Sequence, residues 1–269
     1  MVAVRTGQYR VKEGEKVALG KWPQGDTRGL SEPEALEDSK KLTLKLEKLQ
    51  EMLYAEHKHK VLVVLQGMDT AGKDGTIRKV FEGVNPQGVR VAHFRTPTPE
   101  EADHDFLWRV HQQAPGSGEM VIFNRSHYEG VLIERVHGLV PKKTWERRYK
   151  EIKHFEHLLY EEGTLVLKFF LNIDRDEQKR RLEERLSDPS KQWKFSESDA
   201  PERKFWAEYM TAYMEAIENT STDSCPWYII PANQKWFRDY LVSSVIVDAL
   251  EDLGMEYPKP SFDLKSVVI

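Results

Sequence analysis

The strongest chemical signature in this chain is Gly67-Met-Asp-Thr-Ala-Gly-Lys73-Asp-Gly75, directly after the apolar run 61–65. Gly-x-x-x-x-Gly-Lys between a strand and a helix is the phosphate-binding loop pattern. Glycines permit a tight turn whose successive N–H groups converge on phosphate oxygens. A helix starting near Gly72 adds its positive dipole end. The backbone of Ala71, Gly72, Lys73, Asp74, Gly75 and Thr76 is therefore the candidate phosphate cradle. The Lys73 ammonium supplies a mobile charge for reacting phosphates. The residue after the lysine is normally Ser or Thr, whose hydroxyl binds Mg²⁺; here it is Asp74. A second carboxylate, Asp69, lies inside the loop. Carboxylates beside phosphates repel them unless a cation stands between. Asp69 is thus a candidate Mg²⁺ ligand, with Mn²⁺ as an alternative ion, or a group that orients the attacking phosphate through the metal. Asp74 reads equally well as a first-turn acid facing the helix dipole.

A second chemical segment is Phe123-Asn124-Arg125-Ser-His-Tyr128, where the run 120–123 ends. In nucleotide kinases the strand beside the phosphate loop often ends in Asp, which holds Mg²⁺. Asn124 offers only a neutral carbonyl. Arg125, at the carboxyl end of a parallel strand, faces the crevice where open α/β sheets bind ligands. It can grip phosphate with two parallel hydrogen bonds, or form a surface ion pair. Asn124, Arg125 and Lys194 are the candidate nucleotide contacts.

Two further segments carry charge. Residues 142–153 hold Lys142, Lys143, Arg147, Arg148, Lys150 and Lys153 against Glu146 and Glu151. With Trp145, Tyr149, Ile152, Phe155 and Leu159 on one helical face, this is a packed helix with a basic exterior. It is either a solvated face or a track for a polyanion, in which Lys142 and Arg148 are candidate contacts. Residues 176–204 contain eight basic and eight acidic side chains. They read as helix, Pro189 break, aromatic-basic turn and helix. That is either an ordinary hairpin or a mobile lid bringing arginines to a transferring phosphate.

These segments need elements to hold them. Short apolar runs at 61–65, 89–94, 120–123, 165–171 and 227–230 read as strands. Helical patterns fall between them, at 72–81, 99–113, 141–161, 176–186, 202–218 and 234–253. A further helix starts at Ser31, with Pro33 in its first turn and Leu42, Leu46, Leu49 and Leu53 on one face. Strands alternating with helices predict an α/β sandwich with a parallel sheet between helical layers. Residues 1–30 read as an irregular arm, and 31–269 as one domain with its lid at about 176–208.

Composition bounds the rest. The chain has 269 residues, 39% hydrophobic and 31% charged, with a net charge of −4. That balance suits a folded globular protein. The longest apolar runs are far shorter than the ~20 residues of a membrane helix. An acidic total argues against a nucleic-acid coat protein. A lone cysteine, Cys225, excludes an intrachain disulfide and a multi-cysteine metal site. The nine scattered histidines lack a zinc-binding spacing. The N-terminus lacks the apolar core of a secretory signal, so a cytoplasmic setting is expected.

Together, 67–75, 123–128, Asp-Pro-Ser-Lys-Gln-Trp-Lys-Phe-Ser at 188–196 and Pro-Trp-Tyr-Ile-Ile-Pro-Ala-Asn-Gln-Lys-Trp at 226–236 resemble the polyphosphate kinase 2 family. The resemblance spans about 31–255. It implies a P-loop kinase core of the thymidylate-kinase type. It also implies reversible, Mg²⁺-dependent transfer of the terminal phosphate of inorganic polyphosphate to AMP or ADP, with guanine nucleotides as alternative acceptors. Carried onto matching positions, it puts Asp69 and Lys73 at the reacting phosphates and metal, Arg125 on phosphate, and arginines in the lid helix, where Arg181 and Arg185 are candidates. Asn124 resembles the subgroup that uses both AMP and ADP. The resemblance further suggests a homo-oligomer, a homotetramer. The competing readings are an ATP-dependent nucleoside monophosphate kinase, which position 74 disfavours, and a non-catalytic nucleotide sensor, which has no use for lid arginines.

Overall fold

The apolar runs of the sequence pair into a six-stranded sheet. The computed structural model describes residues 5–197 and 199–263; residues 1–4 of the expected arm, and Ser198 and 264–269 of the expected domain, lie outside them. In chain order the elements are β1 (Arg10–Val11), α1 (Glu32–Glu56), β2 (Lys60–Gln66), α2 (Lys73–Val80), β3 (Val89–His93), α3 (Pro99–Asp103), α4 (Trp108–His111), β4 (Met120–Asn124), α5 (Ile133–Val136), α6 (Lys142–Glu161), β5 (Thr164–Asn172), α7 (Arg175–Ser187), α8 (Asp199–Glu202), α9 (Trp206–Thr220), β6 (Trp227–Pro231) and α10 (Lys235–Glu251).

The sheet runs β1-β6-β5-β2-β4-β3, parallel throughout except for β1. From Val61 to Gln66 every residue of β2 is buried. A strand buried without alternation needs cover on both faces. One helical group, α1, α2 and α10, packs together; a second joins α5, α6 and α9. The expected α/β sandwich with a parallel sheet is the fold that forms.

β2 lies between β4 and β5, so the chain reverses its winding direction around it. Such a switch point opens a crevice at the carboxyl ends of the strands. Leu65 stands in register with Asn124, and the Arg125 N–H donates to Leu65 O at 3.3 Å. The two motif loops therefore emerge side by side.

α1 starts as its sequence predicts. Ser31 and Glu34 form a capping box, Pro33 sits in the first turn, and Leu46 and Leu53 are buried. The helix expected over 99–113 is broken into α3 and α4. The Asp105 carboxylate accepts the Leu107 N–H at 2.9 Å, a local turn that competes with helical bonding. The helix expected from 202 begins at Trp206, after the 3₁₀ turn Arg203–Phe205. Within the arm 1–30, Arg10 and Val11 pair antiparallel with Tyr228 and Trp227, and Tyr9 and Val11 are buried. A two-residue edge strand has no readable period.

Candidate active site

The phosphate loop takes its shape from backbone positions that other residues resist. Gly67 has φ +155°, and a β-carbon there would lie 2.8 Å from Leu171 O. Gly72 has φ +106°, and a β-carbon there would meet Arg238 Nη1 at 1.9 Å. Lys73 opens α2 and donates its ammonium to Gly67 O at 2.6 Å and Met68 O at 3.4 Å. Burial lowers its pKa below the ordinary lysine value; Asp69 opposes this and Arg125 adds to it. The first-turn N–H groups of α2 have no intrahelical partner, so they remain to bind an anion.

Ala71 is buried and contributes backbone only: its N–H donates to Met68 O at 3.0 Å. Thr76 is also buried. Its hydroxyl donates to Asp239 on α10 at 3.2 Å, which fixes α2 rather than offering a side-chain phosphate contact. Gly75 lies beneath the Arg238 guanidinium, its β-position 3.4 Å from Nη2.

Arg125 stands with φ +63°, a left-handed conformation uncommon for a residue with a side chain. This turn at the end of β4 brings its guanidinium to Asp69 Oδ1 at 3.3 Å. The two candidates 56 residues apart in sequence thus meet. Asn124 and Asp74 also meet: the amide donates to the carboxylate at 2.7 Å. Burial pushes Asp74 up, but Asn124, Lys194 and Lys73 outweigh it and hold the carboxyl below its ordinary value. Lys194 stands 4.0 Å from the other Asp74 oxygen.

Sequence reasoning passed over Glu129. It accepts from the Gln66 amide at 3.1 Å. Burial raises its pKa, while Arg125, Gln66 and Lys73 pull it down. Glu129 and Asp69 are the main charges facing Arg125.

Below this loop lies a polar network whose only sequence trace is a lysine within an apolar strand. Lys168 of β5 is fully buried and donates to Glu156 Oε2 at 2.5 Å and Thr220 O at 2.8 Å. Tyr128 donates to Glu156 Oε1 at 2.8 Å, and His127 Nε2 lies 3.1 Å from the same oxygen. Burial pushes Glu156 up, yet Lys168 and His127 prevail and lower it. Satisfied buried networks rigidify the elements they join; this one ties the Arg125 loop to α6, β5 and α9.

Helix α7, expected as part of a lid, is fastened at its base. Gln178 donates to Asp69 O at 3.2 Å. Arg181, expected as a lid arginine, instead donates to backbone carbonyls of the phosphate loop and of 232–233. Its side chain is only 5% exposed. Arg185, one turn further, is half-buried and lines the cleft with Lys191, Trp193 and Lys194.

The basic face of α6 is divided. Arg148 does not point outward. It donates to Gly130 O at 2.8 Å and Glu134 at 2.6 Å, with its guanidinium over the Phe106 ring. Lys142 is exposed, beside Glu146 at 3.5 Å, and neither Lys142 nor Arg148 lines the cleft. Arg148, expected as an outward contact, instead has a structural role: three neighbouring groups hold its charge inward.

Ten lysines and arginines line the cleft of about 1300 Å³, against five carboxylates. In a chain of net charge −4, this concentrates positive potential in the cleft that Lys73 and Arg125 both line.

Residues 29–258 match the family described as Polyphosphate kinase 2 (PPK2). The chain belongs to the polyphosphate kinase 2 family. Among its family relatives, it is 53% identical to the AMP/ADP-polyphosphate phosphotransferase of Meiothermus ruber, over 97% of this chain and 99% of that one. It is 44% identical to the ADP-polyphosphate phosphotransferase of Rhodopseudomonas palustris, over 95% of this chain and 93% of that one. The crystal structure of polyphosphate kinase 2 from Arthrobacter aurescens TC1 superposes with a TM-score of 0.94 at 42% identity. That match covers 98% of this chain and 95% of that one. Among the described residues of this polyphosphate kinase 2 member, no helix is long and apolar enough to cross a membrane.

Proposed function

We propose that this chain transfers the terminal phosphoryl group of inorganic polyphosphate to AMP or ADP, reversibly and with Mg²⁺. The observation that carries this reading is the cleft itself: eight lysines and arginines besides the buried Arg181 and Arg238 line it around one phosphate loop, against five carboxylates. A single nucleotide needs fewer charges. A polymer of phosphates needs many, without base-specific contacts, because transfer rests on positioning and charge neutralisation.

In this reading the α2 amides and Lys73 hold one reacting phosphate. Arg125 holds the other, kept in place by Asp69 and Glu129. Arg185 and Lys194 close over the exchange and exclude water. The metal-binding chemistry fits the donors present. Mg²⁺ is usually held by one or two carboxylates plus substrate phosphates, and Asp69 and Asp74 both line the cleft. Asp69 is the proposed ligand; Mn²⁺ has the same preference for oxygen. The ion would supply charge neutralisation between the phosphates. Guanine nucleotides are further candidate acceptors. A cytoplasmic setting and a homotetramer complete the proposal; light scattering tests the latter.

The test is to incubate the protein with AMP or ADP, Mg²⁺ and either polyphosphate or ATP. New ADP or ATP from polyphosphate is expected. Turnover of AMP with ATP alone, and none with polyphosphate, would make the chain an ATP-dependent monophosphate kinase. Binding without turnover would make it a sensor.

A further inference from the structure

Two buried guanidinium groups converge on one peptide of the phosphate loop. Arg181 of α7 donates Nη1 to Thr70 O at 2.9 Å and Ala71 O at 3.0 Å. Its Nη2 donates to Ala232 O at 2.6 Å and Asn233 O at 3.0 Å, and its Nε to Glu177 at 2.6 Å. Arg238 of α10 reaches the same Ala71 carbonyl with Nη1 at 3.2 Å. Asp239 Oδ1 holds the rest of its fork, at 2.8 Å from Nε and 2.7 Å from Nη2. The two side chains are 5% and 3% exposed.

Two cations can be buried beside one carbonyl because each is paired with a carboxylate, Arg181 with Glu177 and Arg238 with Asp239. The peptide bond between Ala71 and Gly72 is trans, so its N–H points opposite to its C=O. A carbonyl drawn to the arginine side turns the Gly72 N–H the other way. The same grip keeps two loop carbonyls, of Thr70 and Ala71, from facing an anion. Gly72 is the residue on which this depends, since any β-carbon would occupy the space of Arg238 Nη1.

We propose that Arg181 and Arg238 are positioning residues that hold the Ala71 carbonyl from two helices, setting the Ala71–Gly72 peptide so that the Gly72 N–H faces a bound phosphate. The inference rests on the phosphate reading of the loop. It gives Arg181 a different task from a lid arginine: its charge stays beneath the loop and acts through the backbone.

The experiment uses Arg238→Lys and Arg181→Lys, which keep the charge and lose the planar fork. Tripolyphosphate affinity is measured by calorimetry without an acceptor, alongside melting temperature and the ¹H–¹⁵N shift of the Gly72 amide with and without tripolyphosphate. In the wild type the Gly72 amide should shift on binding. In folded Arg238→Lys, affinity should fall about 10-fold, and the Gly72 response should shrink. The double variant should lose less than the sum of the singles, because both arginines serve one carbonyl. Wild-type affinity and Gly72 response in a folded Arg238→Lys would overturn the proposal. If that variant does not fold, Arg181→Lys is read in the same way. A wild-type Gly72 amide indifferent to bound tripolyphosphate overturns the proposal with no variant at all. No binding of tripolyphosphate to the wild type would instead sink the phosphate reading itself.

Discussion

The Asn124 amide donates to Asp74 at 2.7 Å, joining the end of β4 to the first turn of α2. Asn124→Asp would place two carboxylates at that distance. Like charges so close cannot both ionise at ordinary cost. The variant should melt at a lower temperature at neutral pH, and the loss should shrink as pH falls or Mg²⁺ is added. Thermal melts across pH, with and without Mg²⁺, check this; an unchanged melting curve would mean the loops tolerate the charge pair.

Lys73→Ala should leave circular dichroism and melting temperature near wild type, because the lysine bonds only to loop carbonyls. Turnover should fall by about 10²-fold or more, the size of a lost transition-state contact. Since burial lowers the Lys73 pKa, the alkaline limb of kcat/KM in the wild type should fall below the ordinary lysine range. Near-normal turnover in the folded variant would remove Lys73 from the chemistry.

Asp69→Asn keeps the shape and removes the charge. Activity should collapse, and the Mg²⁺ concentration needed for half-maximal rate should rise. The Arg125 contact at 3.3 Å can persist with an amide oxygen, so a Mg²⁺ titration separates metal binding from loop geometry. An unaltered titration at full activity would leave Asp69 a turn residue.

Glu129 has a pKa raised by burial. Its ionised form is thus a cost in the folded state at pH above the carboxylate range, relieved as pH falls through the folded pKa. Glu129→Gln should raise the melting temperature at neutral pH, with the gain fading towards acid pH. Turnover should fall as Arg125 loses one of the charges that orient it. A melting gain with the same size at all pH values would contradict this assignment.

Arg148→Gln should destabilise the fold by about 2 kcal/mol, the scale of a lost charged hydrogen bond, because Arg148 holds Glu134 and Gly130 O. Its KM for long and short polyphosphate should change together. Lys142→Gln should alter neither stability nor KM beyond a small salt-dependent effect. Selective loss of long-chain use in either variant would restore α6 as a track for the polymer.

The sequence by itself determined the strand–loop–helix around Lys73, the parallel α/β alternation and the cap of α1. Each of these depends on residues a few positions apart: glycine spacing, apolar runs and the Ser31 and Pro33 signals. It also placed Asp69, Lys73 and Arg125 in one chemistry, because each motif sits at the end of its own strand. Only the tertiary structure decided which charges are free to meet a substrate. Arg181 and Arg148 look like their exposed neighbours in sequence. In the fold, one is taken up by loop carbonyls from 51 to 111 residues away, the other by Glu134 and Phe106. Lys168 shows in the sequence only as a charge within an apolar strand, and nothing near Glu129 or Arg238 announces its task, because the contacts to Gln66 and to Ala71 O come from packing between distant elements. A side chain's charge is written in the sequence; the field and the partners that give it a task arise only when the chain closes around it.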